Sequence, residues 1–111
     1  NVMLAENGAE ALKMLNNLKT QAEEQDVSIN SIVSIVITDI EMPQMDGYTL
    51  TNKIKTDNVL QKLPVIMHTS LSGDNVKLRG KEVGADEYIT KFSVEHIKAT
   101  LDKVIKQFYP N

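Results

Sequence analysis

Three polar residues close three apolar runs in this chain. Asp39 follows Ile35-Val36-Ile37-Thr38, Thr69 follows Val65-Ile66-Met67-His68, and Lys91 follows Tyr88-Ile89-Thr90. Brought to one edge, a carboxylate, a hydroxyl and an ammonium would suit phosphoryl chemistry. The carboxylate would serve as nucleophile or metal ligand, and the other two would hold phosphoryl oxygens. Each residue alone has a plainer reading. An Asp after a strand is often a cap or turn former, a Thr suits strands, and a Lys is most often solvated. Their recurrence at successive strand ends is what favours chemistry.

The elements that would position them alternate. Val2-Met3-Leu4-Ala5 is too short an apolar run for a helix and reads as a buried strand. Asn7 can cap a following helix, with Glu10 bonding back to the cap's N–H. Leu12, Leu15, Leu18 and Ala22 give that helix its apolar stripe. Its polar end, Glu23 to Asp26, grades into a loop. Ser34 to Asp39 is apolar on both alternate sets, as in a strand buried on both faces. Glu41 to Gly47 reads as a loop, and Tyr48, Leu50 and Ile54 begin a second helix.

Leu63 to His68 predicts a third strand with Pro64 at its entry. A helix after Ser72-Gly73-Asp74 runs through Val76, Leu78 and Val83 and closes at Gly84. Glu87 to Thr90 is a fourth strand. Ser93 caps a last helix whose apolar face carries Val94, Ile97, Leu101, Val104, Ile105 and Phe108, stopped by Pro110. Strand–helix alternation with short crossovers predicts one α/β domain over residues 1–111, a parallel sheet with helices on both faces. In such sheets ligands sit at the carboxyl ends of the strands.

Composition narrows the function classes. The 111 residues are 41% hydrophobic and 24% charged, which excludes a disordered or collagen-like chain. No apolar stretch spans a bilayer, so no membrane insertion is expected, and the opening residues carry no secretion signal. The absence of cysteine removes disulfides, thiolate metal sites and thiol nucleophiles together. A net charge of −3 argues against nucleic-acid binding. The expectation is a small, mildly acidic, cytoplasmic domain.

Asp39-Ile40-Glu41-Met42-Pro43-Gln44-Met45-Asp46-Gly47-Tyr48 resembles the phosphoacceptor segment of response-regulator receiver domains. The resemblance continues through Pro64 to Ser70 and Gly84 to Lys91, essentially the whole chain. Within the family, Asp39 to Pro43, His68 to Gly73 and Lys91-Phe92 look most like the receiver of CheV-type chemotaxis coupling proteins. The resemblance implies a flavodoxin-like (CheY-like) fold and two-component chemotaxis signalling. Asp39 would take a phosphoryl group from a histidine kinase. The backbone carbonyl of Glu41 would help Asp39 hold Mg²⁺. Thr69 would be the switch hydroxyl, Lys91 the phosphoryl-pairing ammonium, and Tyr88 the aromatic that turns inward with Thr69. Without the resemblance Tyr88 is an ordinary half-buried strand aromatic, and His68 and His96 are structural. Family members carry Pro after the lysine, joined by a cis bond. Before Phe92 a cis bond would cost about 3–4 kcal/mol, so a trans peptide is expected there.

Receivers of this kind have five strands in the order 2-1-3-4-5, and an acidic pair ends the first. Val2 to Ala5 matches the second strand, so the resemblance implies that the first strand, first helix and acidic pair are absent and that the chain is a fragment. One carboxylate and one carbonyl are a poor Mg²⁺ site, so phosphorylation should be impaired and Mg²⁺ weakly held or absent. The strand at Ile35 to Thr38 should then show an open edge, a liability, repaired by self-association, swapping or rearrangement of the amino-terminal segment.

Three other functions compete. An interaction module of receiver ancestry would bind through its last two helices and last strand. A haloacid dehalogenase-type phosphatase would need a second Asp where Glu41 stands, with Gly-Thr after it in place of Met42-Pro43. A flavodoxin-type cofactor binder would need a Ser/Gly-rich loop after the first strand. The reading adopted is a non-enzymatic phosphoacceptor domain.

Overall fold

The computed structural model describes residues 2–42, 44–68, 74–89 and 94–110. Four strands alternate with four helices: β1 (Val2–Ala5), α1 (Gly8–Gln25), β2 (Ile35–Asp39), α2 (Gly47–Thr56), β3 (Val65–His68), α3 (Asp74–Glu82), β4 (Glu87–Ile89) and α4 (Val94–Phe108). All strand pairs are parallel, and the spatial order follows the chain, β1-β2-β3-β4. The four-stranded parallel sheet predicted from the alternation is therefore present.

Side-chain alternation sorts the core into two layers. Met3, Ala5, Val36 and Val65 pack with Ala11, Leu15, Leu50 and Ile54, so α1 and α2 cover one face. On the same face Met67 packs with Val76, Val83 and Tyr88 in the cluster that includes α3. Ile35, Ile37, Ile66 and Ile89 point the other way, onto Ile97, Leu101, Val104 and Phe108 of α4. Each fully buried aliphatic side chain contributes about 1.5–3 kcal/mol, and Leu15, Ile35, Leu50, Ile54 and Ile66 are completely enclosed. Three helices thus share one face and α4 alone covers the other.

Helix ends follow their local chemistry. The Asn7 side chain accepts from the Glu10 N–H at 3.2 Å, as the cap reading required. α1 keeps its polar end through Gln25 and stops where Asp26 turns left-handed at φ 56°. α2 begins at Gly47 because Asp46 caps it, accepting from the Thr49 N–H at 2.8 Å. Gly84 closes α3 at φ +97°, a conformation that favours glycine.

Three apolar residues assigned to buried helix faces are exposed, namely Leu78, Val94 and Ile105. Val94 and Ile105 lie outside the stripe of Ile97, Leu101, Val104 and Phe108 that α4 packs onto the sheet. Of the repairs expected for the edge of β2, the structure shows the amino-terminal segment closing it. β1 lies directly against β2, pairing Val2 with Ile35 through Ala5 with Thr38. This satisfies the β2 backbone groups that would otherwise be unpaired and buries Ala5 against α1. The open edge belongs instead to β1. Ser93, Thr90 and the peptide before Phe92 lie outside the described residues.

Two side chains tie the frame across long sequence separations. Asp86 accepts from the Val65 N–H at 2.7 Å and pairs with Lys55 at 2.8 Å, and Lys55 also donates to the Leu63 carbonyl. The Tyr109 hydroxyl donates to the Ser34 carbonyl at 2.7 Å and accepts from Asn30 Nδ2 at 2.8 Å.

Candidate phosphoacceptor site

Asp39 is the last residue of β2 and lies in register with His68, the last of β3, which in turn lies beside Ile89, the last of β4. Three strand ends therefore form one rim. Thr69 is the residue after β3, and Lys91 is two residues after β4; both lie outside the described residues.

The backbone around Asp39 is tightly held. Its Oδ1 accepts from the Ile40 N–H at 2.7 Å. Its carbonyl accepts from the Thr38 hydroxyl at 2.9 Å, and Thr38 is fully buried. The Gly47 N–H donates to the Ile40 carbonyl at 2.9 Å, so the start of α2 leans directly on the end of β2. The approach is so close that a Cβ on Gly47 would lie 2.2 Å from the Asp39 carbonyl oxygen. That contact explains the glycine of the Met45-Asp46-Gly47 motif in packing terms. Gly8 plays a matching part, since a Cβ there would lie 2.2 Å from the Met45 carbonyl oxygen.

Parity places Asp39 on the same face as Ile35 and Ile37, toward α4. There it borders a cleft of about 320 Å³ whose floor is Leu4, Ile37, Ile89 and Ile97 and whose polar members are Asp39, His68 and Glu6. His68 and Glu6 were not assigned a role from the sequence. His68 could have been found, because it stands two residues after Ile66 and so shares its face. Glu6 could not, because it reaches Asp39 only through the β1–β2 pairing.

Tyr88 is half-buried on the opposite face, in the cluster of Ile40, Tyr48, Met67, Val76, Val83 and Ala85. Burial raises the pKa of its phenol above the usual value, with a smaller push from Tyr48. Tyr48 donates to the Val76 carbonyl at 3.2 Å and carries the Arg79 guanidinium over its ring at 4.3 Å. Burial raises the Tyr48 pKa too, opposed by Arg79. A Cβ on Gly80 would sit 3.2 Å from the Met67 sulfur and 3.4 Å from the Tyr88 ring. Tyr88 is thus packed on the backbone of α3, the helix that follows the Thr69 segment.

A divalent cation requires several converging oxygens. Among the described residues no group of three acidic or histidine side chains converges so as to hold a metal.

The fold and rim define a parallel α/β domain that carries its polar groups at the carboxyl ends of its strands. The family model for the response regulator receiver domain matches residues 1–102, and the chain belongs to that family. It is 37% identical over 103 residues to the sensor histidine kinase CheAY of Helicobacter pylori, covering 92% of this chain and 12% of that protein. It is 31% identical over 91 residues to the chemotaxis protein CheV3 of the same organism, covering 82% of this chain and 29% of that protein. The chain thus spans a minor part of these relatives. Its fold matches the crystal structure of a putative response regulator from Chloroflexus aurantiacus with a TM-score of 0.67, covering 94% of this chain and 95% of that one at 20% identity. Among the described residues no helix is long and apolar enough to cross a membrane.

Proposed function

We propose that Asp39 accepts a phosphoryl group from a phosphohistidine on a chemotaxis-type histidine kinase. The observation that carries this reading is the placement of Asp39 at the end of β2, beside the strand ends that lead into Thr69 and Lys91. A carboxylate oxygen of Asp39 attacks phosphorus while the phosphorus–nitrogen bond breaks. The bonding pair leaves with the imidazole nitrogen, which takes up a proton, and an acyl phosphate remains on Asp39. Thr69 and Lys91 hold the phosphoryl oxygens, and Tyr88 turns with Thr69. The output is a change of shape rather than a released product, so the chain is not an enzyme.

The finer assignment is a CheV-type receiver acting in the cytoplasm, supported by Lys91-Phe92 and by the likeness to CheV3. Transfer to this 111-residue chain is impaired, because the described residues around Asp39 lack a set of acidic ligands for Mg²⁺. The test is incubation with a small phosphodonor, with and without Mg²⁺, read by intact mass. The wild type should gain one phosphoryl group slowly and Asp39→Asn none. Equal labelling of Asp39→Asn would overturn the assignment. Labelling as fast as in a chain extended at its amino terminus would overturn the impairment.

A second reading is an interaction module. It is favoured by a cleft of about 600 Å³ beside β4, lined by Lys77, Leu78, Lys81, Glu87 and Tyr88, with Leu78 exposed in it. Partner binding that is indifferent to Asp39→Asn would support this reading over the first.

A further inference from the structure

α3 has little apolar surface of its own to hold it on the sheet. It has nine residues, and an isolated helix of that length is marginal in water. The side chains of Asn75, Lys77, Leu78, Arg79, Lys81 and Glu82 are exposed, and Val76 is half-buried. Leu78, the largest apolar residue of the helix, is 56% exposed. Burial of apolar side chains, which fixes α1, α2 and α4, therefore contributes little here.

One side chain of α2 fastens α3 instead. Tyr48 is 7% exposed and follows Gly47, whose N–H donates to the Ile40 carbonyl. Its hydroxyl donates to the Val76 carbonyl at 3.2 Å, and its ring carries the Arg79 guanidinium at 4.3 Å. Val76 and Arg79 are neighbours on one face of the helix. Gly80 completes the seat, since a Cβ there would lie 3.2 Å from the Met67 sulfur. The α3 backbone thus rests on the sheet, with Tyr48 gripping it from the side.

We propose that Tyr48 is a latch: it keeps α3 docked and thereby decides whether the cleft beside β4 exists. One wall of that cleft is Lys77, Leu78 and Lys81 of α3, the other is Glu87 and Tyr88 of β4, and Tyr48 lines neither. Tyr48 is therefore a positioning residue, acting on the cleft through α3. Its own anchor is rigid, because the start of α2 is already in close contact with the Asp39 carbonyl. Opening moves α3, while the layers held by their own buried side chains stay packed. The latch requires neither phosphoacceptance at Asp39 nor a partner in the cleft.

Amide hydrogen exchange on the 111-residue chain, read residue by residue, tests the latch. Tyr48→Phe removes the hydroxyl and keeps the ring, and Arg79→Gln removes the guanidinium from an exposed position. Each should speed exchange of the Leu78 to Glu82 amides by about 2- to 10-fold. The amides of Leu15, Val36 and Ile66 should keep their wild-type rates. Tyr48→Leu should free α3 further, and adding Arg79→Gln to it should change nothing more, because the guanidinium then has no ring to cover. Unchanged α3 exchange in either Tyr48→Phe or Arg79→Gln overturns the proposal. A uniform rise across the chain does so too, since that is a plain loss of global stability. An Arg79→Gln effect undiminished by Tyr48→Leu overturns it equally. Should Tyr48→Leu fail to fold, the two single variants decide the matter.

Discussion

Replacing Gly47 by alanine tests how the end of β2 is held. From helix propensity alone the change should stabilise, because alanine is favoured over glycine in a helix by about 1 kcal/mol. The tertiary contact predicts the opposite. The new Cβ would lie 2.2 Å from the Asp39 carbonyl oxygen and 3.0 Å from both the Asp39 carbonyl carbon and the Ile40 Cα. All three are backbone atoms, so no side chain can rotate away, and α2 must retreat from β2 by about 1 Å to restore ordinary contact. Retreat stretches the Gly47 N–H to Ile40 bond, now 2.9 Å. Overpacking costs about 1–3 kcal/mol and the weakened hydrogen bond about 1 kcal/mol. Set against the propensity gain, the net loss is about 1–3 kcal/mol. Urea unfolding followed by circular dichroism measures it as a lower midpoint at unchanged slope. The same displacement should slow phosphoryl labelling of Asp39, because the shifted atoms belong to that residue's own peptide. An alanine variant as stable as the wild type or more so, labelled at the same rate, would refute this account.

Removing the Asp86 carboxylate with Asp86→Ala leaves the buried Val65 N–H without its side-chain acceptor and Lys55 without its counter-ion; urea unfolding should show a loss of about 2–4 kcal/mol. Tyr109→Phe removes a donor to Ser34 and an acceptor for Asn30, a loss of about 1–2 kcal/mol by the same assay, and hydrogen exchange should rise first near Ser34. The Asp57 carboxyl pKa is lowered by the Leu60 N–H first, then by Lys19 and the Val59 N–H, against its partial burial. A folded pKa below the unfolded one stabilises above the ordinary carboxylate range and is lost as pH falls through the folded value. Asp57→Asn should therefore flatten the fall in stability at acid pH, seen as a smaller difference between midpoints at neutral and acidic pH.

The elements were legible because their signals are local. Ile35 to Asp39 reads as a buried strand from its β-branched apolar run, and Asn7 as a cap from its own position before a helical stripe. The strand-end carboxylate was legible for the same reason, since a change from apolar to acidic marks where β2 stops. Other features depend on partners far along the chain. Asp86 bonds the Val65 N–H across 21 residues, and Tyr109 reaches Ser34 across 75. No periodicity or propensity encodes such a pair.

The sequence by itself determined the strand–helix alternation, the parallel sheet, and Asp39 as the carboxylate that ends β2. The tertiary structure decided which strand is whose neighbour. The continuous apolar run of Val2 to Ala5 predicts a buried strand, yet in the structure only Ala5 is buried while Val2 and Leu4 are exposed, and the run does not say which strand lies beside it, because any strand of matching pattern satisfies the same backbone groups. Placing β1 beside β2 closed one edge, opened another, and brought Glu6 to the cleft of Asp39 and His68. Gly47 shows the same division at one residue: the sequence supplies a glycine, and only the packed backbone beside it explains why a methyl group has no room there.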